Sequence, residues 1–153
     1  MRPVSVSVVV DRPREEVFDF LDVLANHESF TDHFLKDWRL SGPEAGVGAR
    51  VKMRAVAMGR SEVVVLEVIA ARRPDFSRER TIGAGGKRVT TGTYRLEPAG
   101  ENATTVNFEL AYERAPLSDR IAAPVVRAWL RKANQQAMDR LRERLAREPA
   151  ATN

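Results

Sequence analysis

Cysteine is absent from the 153 residues. That excludes disulfides, thiolate metal centres and thiol nucleophiles. Histidine is almost absent: His27 and His33 are the only two. A Ser-His-Asp arrangement would have to recruit one of them, and no G-x-S-x-G element accompanies any serine. No apolar run is long enough for a leader's hydrophobic region or a membrane span. The opening MRPVSVSVVV alternates and then meets Asp11 and Arg12. The expectation is a soluble, cytoplasmic protein with no integral membrane segment. Lysine is scarce (Lys36, Lys52, Lys87 and Lys132), so the formal charge of +4 rests on arginine. Acids are interspersed with the bases, as in RPREE and RLRERLARE, and aromatics do not alternate with cations. A nucleic-acid face wants a one-signed stripe, so no nucleic-acid partner is expected.

Glycine-rich words are present but lack the spacing that chemistry needs. GAGGK at 83–87 sits between two strand patterns and does not fit G-x-x-x-x-G-K-[ST]. GVG at 46–48 does not extend to G-x-G-x-x-G. Both read as turns, and no cofactor is expected. The stretch NHESFTDHF (26–34) gathers both histidines near Glu28, Asp32 and Asp37. Residues 27 and 33 point about 240° apart on a helix, and position 31 is Thr31, so the i, i+4 pair of a helical metal site is missing. No metal site is predicted. The plainer reading packs Phe30, Phe34 and Leu35 beneath a sheet while the polar residues face water. The rival reading tips one histidine into a cavity mouth as a proton shuttle or ligand contact.

The length fits one domain, expected over 1–148, with a frayed tail at 149–153. Residues 3–10 place Val4, Val6, Val8 and Val10 on one strand face. Asp11 is a candidate cap and Pro13 suits a first turn. Val17, Phe18, Leu21 and Leu24 then fall at helical spacing, with a bend expected near Asp22 or Val23. Trp38 begins a second strand. Further strands are predicted at about 49–58, 61–71, 76–83, 87–97 and 103–113. Short turns (MGRS, RRPD, GAGGK, PAGENA) can only join antiparallel neighbours. From Pro116 to Glu148 the pattern becomes a long helix, with Ser118 as its candidate cap and Pro124 as a kink or true first turn. Ala122, Val126, Trp129, Leu130, Ala133, Ala137, Met138, Leu141 and Leu145 form its apolar stripe. The predicted class is α+β, with a curved antiparallel sheet wrapped around a long C-terminal helix.

This order resembles the START-like, or SRPBCC, superfamily of helix-grip proteins, which includes polyketide cyclases and dehydrases and lipid-transfer domains. The resemblance rests on VDRPREEVFDFLDVLANH, WRLSGPEAGVGARVKMR, TGTYRLEPAGENATTVNFEL and ANQQAMDRLRERL, and it spans nearly the whole chain. It implies an elongated, largely apolar cavity between sheet and helix. It implies no common catalytic motif.

Candidate lining residues follow from period and polarity. Arg80, Tyr94 and Asn134 would orient a ligand if they face inward. Their plainer readings are a solvated strand face, a tyrosine with its hydroxyl at the surface, and an exposed helix amide. Trp38, Met53, Leu66, Phe108, Leu130 and Met138 are the apolar candidates, and each could equally be plain core. Three functions remain open. The first is a carrier or sensor of a small hydrophobic molecule (a lipid, polyketide or aromatic metabolite). The second is a cyclase- or dehydrase-like enzyme in which Tyr94 or a histidine moves a proton and Arg80 steadies an enolate. The third is a cochaperone- or toxin-like interaction module. A titratable residue with a strongly perturbed pKa at the pocket floor would favour the enzyme. No catalytic residue is assigned, and the oligomeric state is not encoded.

Overall fold

The structure, a computed structural model, describes residues 1–149. Beyond residue 149, the expected tail lies outside the described residues. Strand β1 (Val4–Val10) leads into helix α1 (Arg14–Asp22), a 3-10 turn (Leu24–His27) and the short helix α2 (Glu28–Thr31). Six strands follow: β2 (Leu35–Ser41), β3 (Arg50–Ala57), β4 (Arg60–Arg72), β5 (Phe76–Gly83), β6 (Arg88–Pro98) and β7 (Thr104–Arg114). Helices α3 (Leu117–Ile121) and α4 (Ala123–Arg147) close the chain. All seven strands form one antiparallel sheet in the order β1-β7-β6-β5-β4-β3-β2.

The strand predictions hold to within a few residues, and β2 starts at Leu35 rather than Trp38. The helix predictions need three corrections. Pro13, not Asp11, is the N-cap of α1. The closing helix is broken at Ala122, whose φ of −96° and ψ of 21° leave the helical region. Pro124 supplies the reason: it has no N–H for the preceding turn but suits the start of a helix. Ser118 therefore lies inside α3, which Pro116 caps.

Between β3 and β4, Met58 and Gly59 make a two-residue turn with φ of 50° and 76°. Positive φ at both positions matches the right-handed twist of a hairpin. Alternation then sets the faces. The valines of β1 at 4, 6, 8 and 10 are buried, as are Val64, Leu66 and Val68 of β4. On α4, Ala137, Met138, Leu141 and Leu145 pack with β1, β6, β7 and α1 in one core cluster. Leu24, Ala49, Val51, Met53, Val64, Leu66 and Val68 form a second cluster beneath β3 and β4. No residue of α4 belongs to it.

The two edges of the sheet differ. On the β1 side, Gln135 of α4 donates to the Ser7 carbonyl at 3.1 Å, and Arg127 donates to Arg2 and Pro3 at 3.2 and 3.0 Å. At the other edge, β2 shifts register between Lys36 and Arg39. Asp37 at this bulge has a φ of 57° and accepts from Arg54 at 2.8 Å.

Leu141 is fully buried in the main cluster, whereas Ile121 is exposed. Leu141→Ala should lower unfolding free energy by about 2–5 kcal/mol. Ile121→Ala should stay within about 0.5 kcal/mol. Urea denaturation of the two variants checks this, and equal effects would contradict the packing described.

Candidate functional site: a polar seam in an apolar interior

Strand β5 separates the two clusters. Its inward face carries Ser77, Glu79, Thr81 and Gly83, with no aliphatic side chain among them. Glu79 is only 9% exposed. Two sheet neighbours shape its surroundings. Gly92 of β6 stands directly opposite Glu79. A Cβ on Gly92 would lie 2.9 Å from Cζ of Phe108 and 3.3 Å from Cγ of Glu79. The missing side chain is what lets that ring and that carboxyl stem cross β6. Two residues along β6, Tyr94 shares the inward face at 4% exposure, its ring 4.6 Å from that of Phe108.

His27 approaches from the other side, at the end of the 3-10 turn. It is 4% exposed, and its Nε2 lies 2.7 Å from the Leu21 carbonyl. Facing a carbonyl, Nε2 must carry the proton, which leaves Nδ1 as an acceptor. Nδ1 lies 3.9 Å from Oε2 of Glu79. The His27 ring also meets Tyr94 edge-on at 5.5 Å and Phe30 at 5.2 Å.

Burial dominates the protonation of this group. It pushes the Glu79 carboxyl up to about 8, with no compensating partner. Burial pulls His27 down to about 4, against the opposing effect of the Leu21 carbonyl. Burial also raises Tyr94 well above the usual phenol range, helped by repulsion from Glu79. Near pH 7 both Glu79 and His27 are therefore uncharged. Their contact is a neutral carboxyl facing an imidazole lone pair, not an ion pair.

Neither the Glu79 carboxyl nor the Tyr94 hydroxyl makes a hydrogen bond with a described residue. Yet among the described residues no completely enclosed side-chain nitrogen or oxygen lacks a partner. Both groups consequently open onto space that a water-sized molecule can enter. The arrangement can donate a proton from Glu79, accept one at Nδ1 of His27 and hydrogen-bond through Tyr94, all within apolar walls.

Of the expected lining residues, Tyr94, Phe108 and Met138 lie together in the main cluster. Met53 and Leu66 lie in the second cluster, with Trp38 packed against it and its Nε1 donating to the Leu35 carbonyl at 3.0 Å. Leu130 is half-buried. Asn134 is buried, but its amide donates to the Leu130 carbonyl one turn back, at 2.8 Å. Arg80 is a correction. It faces outward and pairs with Glu113 at 3.2 Å. The reason is register: Tyr94 stands opposite Ser77, and opposed residues share a face. With Tyr94 inward, Ser77 and Glu79 are inward and Arg80 is not. Alternation within β5 does not by itself say which face is inward, since Phe76 and Ile82 lie on the face opposite Glu79. Pairing β5 with β6 does.

The histidine stretch is corrected as well. His27 is part of the interior and does not face water. His33 is a clasp: Nε2 donates to the Ala133 carbonyl at 2.9 Å, and Nδ1 accepts from Arg140 at 2.7 Å. Arg140 also donates to Asp32 at 2.5 Å. Burial and the adjacent guanidinium lower the His33 pKa.

Two open grooves are present, one of about 660 Å³ along β1 and α4 and one of about 430 Å³ beside α3. The polar seam lies in neither.

A seven-stranded antiparallel sheet with a long helix packed along it defines a helix-grip protein of the START-like, SRPBCC class. The chain belongs to the family described as polyketide cyclase / dehydrase and lipid transport, whose profile matches residues 1–146. Solved structures agree at the level of the fold. TTHA0849 of Thermus thermophilus is 22% identical with a TM-score of 0.76, over 95% of this chain and 97% of that one. Norcoclaurine synthase of Thalictrum flavum is 14% identical with a TM-score of 0.71, over 96% and 87%. Major latex-like protein 151 of Panax ginseng is 12% identical with a TM-score of 0.69, over 94% and 96%. None of the curated proteins matches the sequence. No helix among the described residues is long and apolar enough to cross a membrane.

The pKa shifts predict a particular pH profile. Folded Glu79 holds its proton up to about pH 8, whereas the unfolded carboxyl releases it near 4.5. Its contribution to stability is full below about 4.5 and is lost as pH rises toward 8. His27 acts oppositely, adding stability as pH rises from about 4 to 6.5. The two offset each other below about 6.5, and above it Glu79 acts alone. Melting curves should therefore decline from pH 6.5 to 8, with a slope of at most about 1.4 kcal/mol per pH unit. Glu79→Gln should flatten that decline. A wild-type profile level across this window would contradict the protonation state assigned to Glu79.

Proposed function

We propose that the protein holds a small, mostly apolar molecule between the concave sheet and α4, as a carrier or sensor. The observation that carries this reading is the unpartnered pair of polar groups, Glu79 and Tyr94, within apolar walls. A buried polar group with no hydrogen bond would cost about 1–3 kcal/mol, so water or a ligand group must fill the space beside these two. A ligand bearing a hydroxyl or carbonyl group would remove that cost while burying its own apolar surface, worth roughly 25 cal/mol per Å². Met138 of α4 and Phe108 of β7 would pack on it from the main cluster, and Met53 and Leu66 from the β3–β4 side. Leu130, Asn134 and Trp38 border the same interior. Family membership supports a lipid, polyketide or aromatic metabolite. The cysteine-free chain suits a reducing cytoplasm.

The protonation of Glu79 favours a second reading, an enzyme of the cyclase or dehydrase kind. A carboxyl that is neutral near pH 7 can protonate a carbonyl or hydroxyl oxygen, and above about 8 it can remove a proton from carbon. Tyr94 would hydrogen-bond the developing oxyanion. Arg80 has no part in this, since it lies on the outer face.

Native mass spectrometry of protein purified from its own host should show a retained small molecule. Its occupancy should fall at least about tenfold in Glu79→Gln and Tyr94→Phe, the loss of a buried hydrogen bond. Turnover of a polyketide substrate that vanishes in Glu79→Gln would move the reading to the enzyme. Absence of any retained molecule, with no shift in melting temperature across fatty acids and aromatic polyketides, would overturn both in favour of an interaction module.

A further inference from the structure

Helix α3 is built inside out. Its only buried residue is the acid Asp119, while Leu117 and Ile121 are 71% and 76% exposed. Asp119 is turned inward by charge: Arg88 grips both of its oxygens at 2.8 and 2.7 Å, and Tyr112 donates to it at 3.0 Å. Arg88 also binds Glu62 of β4. These bonds fix α3 to the sheet in the orientation that leaves its aliphatic face outward. Leu117 and Ile121 are four residues apart and share that face. Val125, one turn on at the start of α4, is 62% exposed. Such a cluster of exposed aliphatics marks a contact surface.

Its charge indicates the partner. Lys87, Arg114 and Arg120 line the groove beside Leu117, and no acid lines it with them. The one acid of α3, Asp119, is buried and held by Arg88. None of these three cations forms an ion pair with a described residue. A second copy of the same face would meet like charge. A nucleic acid would meet aliphatic side chains where stacking aromatics are wanted. An anionic lipid surface satisfies both features, since its headgroups attract the cations and its acyl boundary takes the aliphatics.

We propose that the α3 face, with the first turn of α4, docks on membranes that contain anionic lipid. Leu117, Ile121 and Val125 enter the acyl boundary, and Lys87, Arg114 and Arg120 contact the headgroups. Docking requires no occupant at the Glu79 seam, so it stands or falls apart from the proposed ligand binding.

The test is co-sedimentation of the full chain with phosphatidylcholine vesicles, with and without phosphatidylserine. Binding should appear only with phosphatidylserine and should weaken as salt rises. Removing one cation, as in Arg120→Gln or Lys87→Gln, should weaken it about fivefold. The double variant Leu117→Ser with Ile121→Ser should weaken it at least about tenfold. These residues are exposed, so melting temperature should not move, which separates lost docking from lost fold. No pelleting with phosphatidylserine vesicles at low salt would overturn the proposal. So would vesicle binding indifferent to the double serine variant. Self-association abolished by that variant, in place of vesicle binding, would assign the face to a second copy. Salt-sensitive DNA or RNA binding without vesicle binding would assign it to nucleic acid.

Discussion

The seating of α4 against one side of the sheet is the contact from which the rest follows. Ala137, Met138, Leu141 and Leu145 meet β1, β6, β7 and α1, and this single cluster holds the two ends of the chain together. Because the helix commits to that side, the cluster beneath β3 and β4 is completed mainly by the sheet's own residues and Leu24. The interior is thus divided rather than uniform. One part is a helix-on-sheet core, the other a sheet face with a thin cover.

At the boundary lies β5, and its inward residues are polar. A carboxyl in that position is costly when charged, and the protein resolves the cost by keeping it protonated near neutral pH. The neighbouring His27 is kept neutral by the same burial, and its tautomer is set by the Leu21 carbonyl. Gly92 is the steric counterpart: with no side chain of its own, it yields space to Phe108 and Glu79. Composition, backbone and electrostatics therefore converge on one short stretch of β5 and β6.

Much of the fold was legible because alternation and helical period are strong signals over long segments. The valines of β1, the meander from β3 to β7 and the stripe on α4 could be read directly. Boundaries were harder where proline and charge decide, as at Ala122. The site was only partly legible. Tyr94, Phe108 and Met138 came from period, but Glu79 did not, since an acid in a strand reads as a solvent-facing residue. Reading Tyr94 and Arg80 as both inward conflicted with antiparallel pairing, a constraint that lies between strands rather than within either. His27 enters the sequence reading only as a rival to a solvent-facing residue. Its burial depends on the sheet passing over the 3-10 turn, which no local spacing encodes.

The two borders of the sheet carry a further implication. An uncovered, straight outer strand is a template onto which a neighbouring polypeptide can add. Here α4 lies along β1, with Gln135 holding the Ser7 carbonyl and Arg127 the Arg2 and Pro3 carbonyls just before the strand, and β2 is interrupted at Asp37 among charged neighbours. Strand-by-strand accretion of one molecule onto another is obstructed at both margins. The sheet can therefore remain strongly curved and open-ended without seeding aggregates.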